Sequence, residues 1–329
     1  MIIKSIKLVN FRNHSKYELE CTDETSLILG NNGWGKTSVL EAIYILTRGK
    51  SFRATDGEIL KRGEDFYRIE IDFNNGEKNV AAYDGVKKTF IIHDKKSARL
   101  PKKNKYPVVL FLPSDLNLVS NSPSARRDYF DRIFGQLSEK YNNNLLRYEK
   151  ALKQRNELLK SDYISSDAVF SWNVLLAKYG TEILNARKIF VDDINKVLTD
   201  VYRSIADNED EIMIEYLHDD VIDENQYLKK LEAIFERDKI IGHTSFGVHR
   251  DDFVFKFNNE DANGSASRGE TRSIILAMKF IEADMIYQTL NQKPIVLLDD
   301  VFSELDEIRR KCLIKNFKDN QVIITSVEA

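Results

Sequence analysis

Residues 30–37 read Gly30-Asn31-Asn32-Gly33-Trp34-Gly35-Lys36-Thr37 and match the pattern G-x-x-x-x-G-K-[ST] at every specified position. A short apolar run at residues 26–29 precedes this segment, and helical periodicity from Lys36 to about Leu46 follows it. Glycines let backbone N–H groups turn inward around phosphate oxygens, and the N-terminus of the following helix attracts the same anion. The strand, loop and helix together predict a phosphate-binding loop.

The pattern assigns a role to each residue of this loop. Lys36 is expected to bridge the β- and γ-phosphates of ATP, and the Thr37 hydroxyl is expected to ligate Mg²⁺. The residues expected to contact the nucleotide are Gly30, Asn31, Asn32, Gly33, Trp34, Gly35, Lys36, Thr37 and Ser38.

A second acidic motif lies near the C-terminus, in Ile295-Val296-Leu297-Leu298-Asp299-Asp300. An apolar strand that ends in a carboxylate is where a nucleotide-bound Mg²⁺ finds its protein anchor, here Asp299. Asp300 is placed to orient or deprotonate the attacking water. The sequence thus predicts Lys36, Asp299 and Asp300 as catalytic residues, and Thr37 and Asp299 as the metal site.

A third segment, Ser267-Arg268-Gly269-Glu270, lies just before a helix predicted from about Thr271 to Leu290. Small residues and backbone N–H groups at a helix N-terminus form another anion site. One fold cannot easily aim two such sites at one γ-phosphate, but two copies around a twofold axis can. We therefore expect Ser267 and Gly269 to complete the nucleotide site of a second copy.

Between these motifs the pattern changes from mixed α/β to mostly helical and back. Ser122 and Pro123 have the residue types of an N-cap and a first helical position, and helical periodicity continues to about Ile205. The prediction is an α/β head, formed by residues 1–122 and 241–329, with a mostly helical lobe inserted at 123–240.

The composition excludes several other classes of protein. The 329 residues contain 49 Lys+Arg and 52 Asp+Glu, for a net charge of −3, so a nucleic-acid surface would have to be local. No apolar run approaches the roughly 18 residues of a membrane span, and two cysteines form neither a disulfide framework nor a zinc site. These observations predict a cytoplasmic protein.

The motifs and several further segments resemble the RecF family, in the chromosome-maintenance branch of the ATP-binding-cassette superfamily. The segments that carry this resemblance are Leu8-Val9-Asn10-Phe11-Arg12-Asn13, Gly49-Lys50-Ser51-Phe52-Arg53, Gly247-Val248-His249-Arg250-Asp251-Asp252, and the run from Leu297 to Asp306. The fold that the resemblance implies is an ABC-type P-loop ATPase head with an inserted, mostly helical lobe.

The resemblance also implies a function. It implies ATP-dependent homodimerisation, slow hydrolysis that acts as a conformational switch, and binding to double-stranded DNA and to single-strand/duplex junctions. It further implies partnership with RecR, and through it RecO, to load recombinase during DNA repair and replication. The segment at 268–271 departs from the family's usual Gln-Gly-Gln-Gln, since Arg268 and Glu270 bring mixed charge.

Two alternatives of other classes stay open. A nucleotide-binding subunit of an ABC transporter would show a Leu-Ser-Gly-Gly-Gln signature and a switch histidine. A nuclease-linked ATPase would need a further carboxylate-rich domain. A further alternative, another SMC-like DNA-maintenance ATPase, differs less from the RecF-family interpretation.

A basic segment spans residues 87–105, which contain one acid, Asp94. Such a local excess of charge favours non-specific contacts to DNA phosphates. The candidate DNA-binding residues are Lys87, Lys88, Lys95, Lys96, Arg99, Lys102, Lys103 and Lys105. A solvated hairpin is the alternative interpretation.

Overall fold

A computed structural model describes residues 2–161, 164–221 and 223–327 of the chain. The residues separate into two compact units, one formed by the chain up to Asp115 together with the part from Glu282 onward, the other by Leu116–Ile281. These divisions lie at 115/116 and 281/282, whereas the sequence predicted domain boundaries at 122/123 and 240/241. The predicted domain boundaries stay a prediction.

The helices and strands are numbered here in chain order. The strands are β1 (Ile3–Phe11), β2 (His14–Glu20), β3 (Thr25–Leu29), β4 (Tyr67–Phe73), β5 (Lys78–Tyr83), β6 (Lys88–Ile92), β7 (Lys95–Ser97), β8 (Val108–Phe111), β9 (Ile212–Leu217), β10 (Asp252–Phe257), β11 (Glu260–Asp261), β12 (Ile295–Asp299) and β13 (Val322–Ser326). The helices are α1 (Lys36–Arg48), α2 (Asp56–Ile59), α3 (Pro123–Leu137), α4 (Glu139–Leu159), α5 (Ser166–Ala206), α6 (Glu224–Ala233), α7 (Phe235–Ile241), α8 (Ala262–Ser265), α9 (Arg268–Leu290) and α10 (Glu307–Asn316).

The first unit contains a parallel sheet with the strand order β3-β13-β12-β8. Every residue of β8, β12 and β13 is buried, which explains their continuous apolar runs. The register pairs Leu29 with Ser326, and Asp299 with Thr325, so the carboxyl ends of β3, β13 and β12 meet at one edge. Ligands of open parallel sheets bind outside this edge.

The same unit contains an antiparallel sheet with the order β2-β1-β4-β5-β6-β7. In β4, burial alternates strictly, with Tyr67, Ile69 and Ile71 inward, because one face of the strand packs on the core. Helix α1 is buried on nearly all sides, and its apolar residues share one core cluster with residues of both sheets. This burial explains why the sequence of α1 is apolar around most of its circumference.

The second unit contains α3 to α8, the beginning of α9 and a small antiparallel sheet ordered β11-β10-β9. Helix α3 begins as predicted, since the Ser122 hydroxyl accepts from the Ala125 N–H and Pro123 follows at the first position. Helices α6 and α7 meet at Ile234. Within the described residues, no helix is both long and apolar enough to cross a bilayer.

The motif at residues 247–252 builds the interior of the second unit. The His249 ring bonds the Tyr148 hydroxyl at 2.8 Å and the Thr244 carbonyl at 3.1 Å, and burial lowers the His249 pKa to about 4. Asp252 accepts from Arg126 at 2.6 and 2.8 Å. These contacts are structural, because they join separate segments of the second unit to one another.

Candidate functional site

The start of α1 is left open by its own sequence. Gly33 and Gly35 both have φ of +86°, and Gly35 is the N-cap without a side-chain hydrogen bond. No acidic residue occupies the first turn, so no carboxylate within it competes with an anion for the positive end of the helix.

Gly35 also has no room for a side chain. A Cβ there would lie 2.3 Å from Asn13 Oδ1 and 2.4 Å from His14 Nε2. Those two side chains brace the loop: the Asn13 amide donates to the Gly33 carbonyl at 3.0 Å, and the His14 ring bonds the Gly35 carbonyl at 3.1 Å. The turn after β1 therefore fixes the shape of the phosphate loop.

Lys36 is nearly buried and folds over its own loop. Its ammonium donates to the Gly30 carbonyl at 2.5 Å and to the Asn31 carbonyl at 3.3 Å. The Lys36 ammonium is thus held at the loop, where a phosphate oxygen can replace a carbonyl oxygen as its acceptor.

The first two predicted motifs meet at the edge of the parallel sheet. The Thr37 hydroxyl lies 2.8 and 3.0 Å from the two carboxylate oxygens of Asp299, although the residues are 262 positions apart in the chain. The Thr325 hydroxyl donates to the same carboxylate at 2.9 Å and holds its orientation. Thr325 comes from the neighbouring strand β13, and its contribution was missed by sequence reasoning.

The oxygen donors at this point suit Mg²⁺, which prefers hydroxyl and carboxylate oxygens and keeps several further oxygens from water or phosphate. Within residues 2–161, 164–221 and 223–327, no group of three or more His, Cys, Asp or Glu side chains could hold a metal by itself. Thr37 and Asp299 fit Mg²⁺ only as part of a shell completed by a ligand's own oxygens.

Asp300 sits in a left-handed conformation, with φ of 51°. Its backbone N–H is fixed by the carbonyl of Thr325 at 3.1 Å and by the Thr325 hydroxyl at 3.0 Å. Among the described residues its Oδ1 is buried without a hydrogen-bond partner. A buried acceptor of this kind is suited to bind a water molecule.

These groups line one cleft of about 710 Å³, a volume typical of sites for nucleotide-sized ligands. The residues that line it are Arg12, Asn13, Asn31, Asn32, Gly33, Gly35, Lys36, Thr37, Ser38, Arg53, Glu58, Leu60, Lys61, Arg62, Asp299 and Asp300. Basic side chains outnumber acidic ones on its walls, which favours an anionic ligand. The cleft therefore brings together most of the predicted phosphate loop and both predicted acids, while the predicted contact residues Gly30 and Trp34 do not line it.

The cleft also contains basic residues that sequence reasoning gave little weight. Arg12 and Arg53 both pair with Glu41 of α1, at 2.8 and 2.9 Å. Glu41 itself was missed. Its signal in the sequence is a single acid, four residues after Thr37, in an otherwise apolar helical stretch.

The segment at Ser267 begins α9, three residues earlier than predicted. Ser267 and Glu270 form a capping pair: the Ser267 N–H donates to the Glu270 carboxylate at 2.6 Å, and the Glu270 N–H donates to the Ser267 hydroxyl at 3.3 Å. Within the predicted anion site, the Glu270 carboxylate thus accepts from the Ser267 N–H, and the Ser267 hydroxyl accepts from the Glu270 N–H. The trans role of Ser267 and Gly269 stays a prediction.

The basic segment forms β6, the edge strand β7 and the turn that follows. Lys88 pairs with Asp56 at 2.8 Å and keeps 13% of its side chain exposed, which makes it the weakest of the DNA candidates. The exposed candidates are Lys87, Lys95, Lys96, Arg99, Lys102, Lys103 and Lys105.

Comparisons with known proteins agree with this architecture. The family model described as "RecF/RecN/SMC N terminal domain" matches residues 2–329. The DNA replication and repair protein RecF of Agathobacter rectalis is 35% identical, over 99% of this chain and 92% of the relative. The protein of the same name from Clostridioides difficile strain 630 is 34% identical, over 100% and 92%.

A solved structure of the recombination mediator protein RecF-ATP in the RecFOR pathway superposes with a TM-score of 0.88 at 28% identity. That superposition covers 100% of this chain and 92% of the other. A second structure, described as RecF-ATPrS in the same pathway, gives 0.87 at 29% identity, over 99% and 92%. The predicted fold class, an α/β ATPase head with a helical insertion, is confirmed.

Proposed function

The chain belongs to the RecF family, and from that premise we propose that it is an ATP-dependent protein of DNA replication and repair. The structural observation that carries its ATP dependence is the contact between Thr37 and Asp299 at the start of a helix with no side-chain cap. It joins the phosphate loop to the acidic strand, the two elements that hold a nucleoside triphosphate and its Mg²⁺ in P-loop proteins. The comparisons favour this function over the nucleotide-binding subunit of a transporter.

In the proposed mechanism the loop N–H groups and Lys36 bind the phosphates of ATP. Mg²⁺, held at Thr37 and Asp299, would neutralise developing charge on the phosphates. Asp300 orients the attacking water through its buried Oδ1 and accepts its proton. Slow turnover is expected, because Thr325-Ser326-Val327 at the end of β13 supplies no histidine to assist.

ATP acts in this proposal as a switch between a monomer and a homodimer. Ser267 and Gly269 of one copy complete the nucleotide site of the other, so ATP stabilises the dimer and hydrolysis releases it. The dimer binds duplex DNA beside single-stranded gaps and works with RecR, and through it RecO, to load recombinase. The name RecFOR pathway in the solved relatives supports this partnership.

Solution mass tests the switch. Light scattering with Mg²⁺ and a non-hydrolysable ATP analogue is expected to show a dimer for the parent chain and a monomer for Ser267→Arg. Ser124→Arg adds the same side chain at an exposed position of α3 and serves as the matched control. A parent that stays monomeric with bound nucleotide, or a dimer that forms without it, would contradict the switch.

Reversing two charges tests the DNA surface. Lys102→Glu with Lys103→Glu is expected to weaken duplex binding and to lower the salt slope by about 2, since each phosphate contact contributes about 0.9. Lys315→Glu with Lys318→Glu makes the same change of charge on exposed positions at the end of the first unit. Equal affinities and slopes for both pairs would remove the basic segment as the DNA site.

A further inference from the structure

Glu41 is a carboxylate on α1 with no exposed surface. It accepts hydrogen bonds from Arg12 Nε and Nη2, both at 2.8 Å, from Arg53 Nη2 at 2.9 Å, and from the Ser51 hydroxyl at 2.6 Å. Burial raises the Glu41 pKa, but the bonds from Arg12, Arg53 and Ser51 outweigh it and hold that pKa below its ordinary value. The carboxylate is therefore ionised and fully engaged at neutral pH.

The two arginines reach Glu41 from different segments of the chain. Arg12 lies in the turn between β1 and β2, in a left-handed conformation with φ of 55°, and also donates through Nη1 to the Glu58 carbonyl at 2.9 Å. Arg53 lies in the loop after α1. Each keeps part of its side chain exposed, 22% for Arg12 and 38% for Arg53, and both line the cleft at the phosphate loop.

Glu41 holds both guanidinium groups, and each group keeps N–H donors that the bonds given above do not use. Arg53 donates to Glu41 through Nη2, and Arg12 uses three of its five N–H groups in the bonds given above. Guanidinium N–H pairs match phosphate oxygens in geometry as well as charge. A guanidinium fixed by a buried carboxylate loses less side-chain freedom when it binds such an anion.

We propose that Glu41 is a positioning residue of the nucleotide site, which fixes Arg12 and Arg53 at the cleft wall as ligands for the phosphates. Glu41 stands four residues after Thr37, so one helix carries the hydroxyl of the metal site and the carboxylate that orders both arginines. The inference rests on the proposed function, because it needs ATP in this cleft.

The direction in which one substitution changes binding affinity distinguishes a positioning role for Glu41 from a purely electrostatic one. Removing a negative charge near the cleft strengthens binding of an anion if only the electrostatic field matters. If Glu41 orders the arginines, Glu41→Gln weakens binding, because each guanidinium must then be ordered by the ligand itself. We expect roughly ten-fold weaker binding, the loss of about one charge-assisted hydrogen bond.

Glu58→Gln is the matched control. Glu58 also lines the cleft, so the charge changes by the same amount at the same site. Its carboxylate bonds Thr55, a contact that glutamine can also make, while Arg12 bonds only its backbone carbonyl. Calorimetric titration with Mg²⁺ and the ATP analogue should give Glu58→Gln a Kd equal to or below that of the parent chain.

Further variants keep the test decisive if Glu41→Gln loses stability. Glu41→Asp retains the charge but draws the carboxylate back by one methylene, and it is expected to bind less tightly than the parent. Arg53→Gln should weaken nucleotide binding by itself. Adding Glu41→Gln to Arg53→Gln should lower the affinity by a smaller factor than Glu41→Gln does in the parent, because one of the two guanidinium groups that Glu41 orders is already absent. Melting temperatures identify any variant that is unfolded at the assay temperature.

The outcomes separate the inference from the function beneath it. A parent chain that does not bind the analogue would overturn both. A parent that binds, with Glu41→Gln as tight as Glu58→Gln and Glu41→Asp equal to the parent, would overturn the role of Glu41 alone. Weaker binding confined to the Glu41 and Arg53 variants supports it.

Discussion

The starts of α1 and α9 were both predicted as anion sites, yet the structure builds them in opposite ways. At α1 the N-cap is Gly35, no side chain bonds the first turn, and no acid lies within it. At α9 the Ser267 hydroxyl accepts from the Glu270 N–H, and the Glu270 carboxylate accepts from the Ser267 N–H. The first site is open to a phosphate, whereas the second carries an anion of its own.

We infer from this difference that a helix N-terminus binds an anion more tightly when no carboxylate of its own chain lies beside its donors. The macrodipole is the same at both helices, but the Glu270 carboxylate uses the favourable position at α9. A phosphate of a second copy would have to approach beside that carboxylate. We therefore expect strong nucleotide binding at α1 and a weaker contribution from α9.

The largest effect is expected at the open site. Lys36→Ala removes the charge that lies over the loop, and we expect ATP affinity to fall by about 100-fold, as for the loss of a strong charge-assisted pair. Calorimetric titration measures this change. Lys61→Ala removes an equal charge from the same cleft and is expected to cost much less. Equal losses would mean that net charge, rather than the position of Lys36, sets affinity.

The adjacent acids should separate binding from chemistry. Asp300→Asn keeps the shape of the turn but removes the proton acceptor, and hydrolysis is expected to fall roughly 100-fold with nucleotide binding retained. Asp299→Asn is expected to weaken the binding that depends on Mg²⁺, because it alters the carboxylate bonded to Thr37. Single-turnover hydrolysis and titration with and without Mg²⁺ distinguish the two. Loss of binding in Asp300→Asn would contradict its assigned role.

Sequence reasoning located the open site because its parts are local patterns. The glycines, Lys36 and Thr37 are contiguous, and the apolar run before Asp299 marks a buried parallel strand. The strand order β3-β13-β12-β8, which sequence reasoning did not predict, then brings Thr37 and Asp299 together.

The parts that sequence reasoning missed depend on tertiary contacts. Thr325 orients Asp299 from a neighbouring strand, and Glu41 joins two arginines from separate loops. The start of α9 was misplaced for another reason. Ser267 and Glu270 have the spacing of a capping box, whereas the sequence-based prediction treated the segment from Ser267 to Glu270 as an anion site.

The smallest effect is expected at the closed site, from Glu270→Gln. Glutamine can still accept the Ser267 N–H, so the cap is kept, while the negative charge near a second copy's phosphate is removed. Relief of one like-charge contact near a surface is worth about 1 kcal/mol, and a twofold dimer contains two such contacts, so the dimer Kd with the ATP analogue is expected to fall about 30-fold. Analytical ultracentrifugation over a range of protein concentrations measures that constant.

Glu236→Gln, an exposed substitution in α7, controls for the change in net charge. Glu270→Ala completes the comparison, because it removes the charge and the cap together. If Glu270 acts only as a cap, Glu270→Gln leaves the dimer unchanged and Glu270→Ala lowers the melting temperature. If the Glu270 charge repels the nucleotide of the second copy, both substitutions tighten the dimer. The Glu270 carboxylate would then weaken the dimer that nucleotide bound at α1 stabilises.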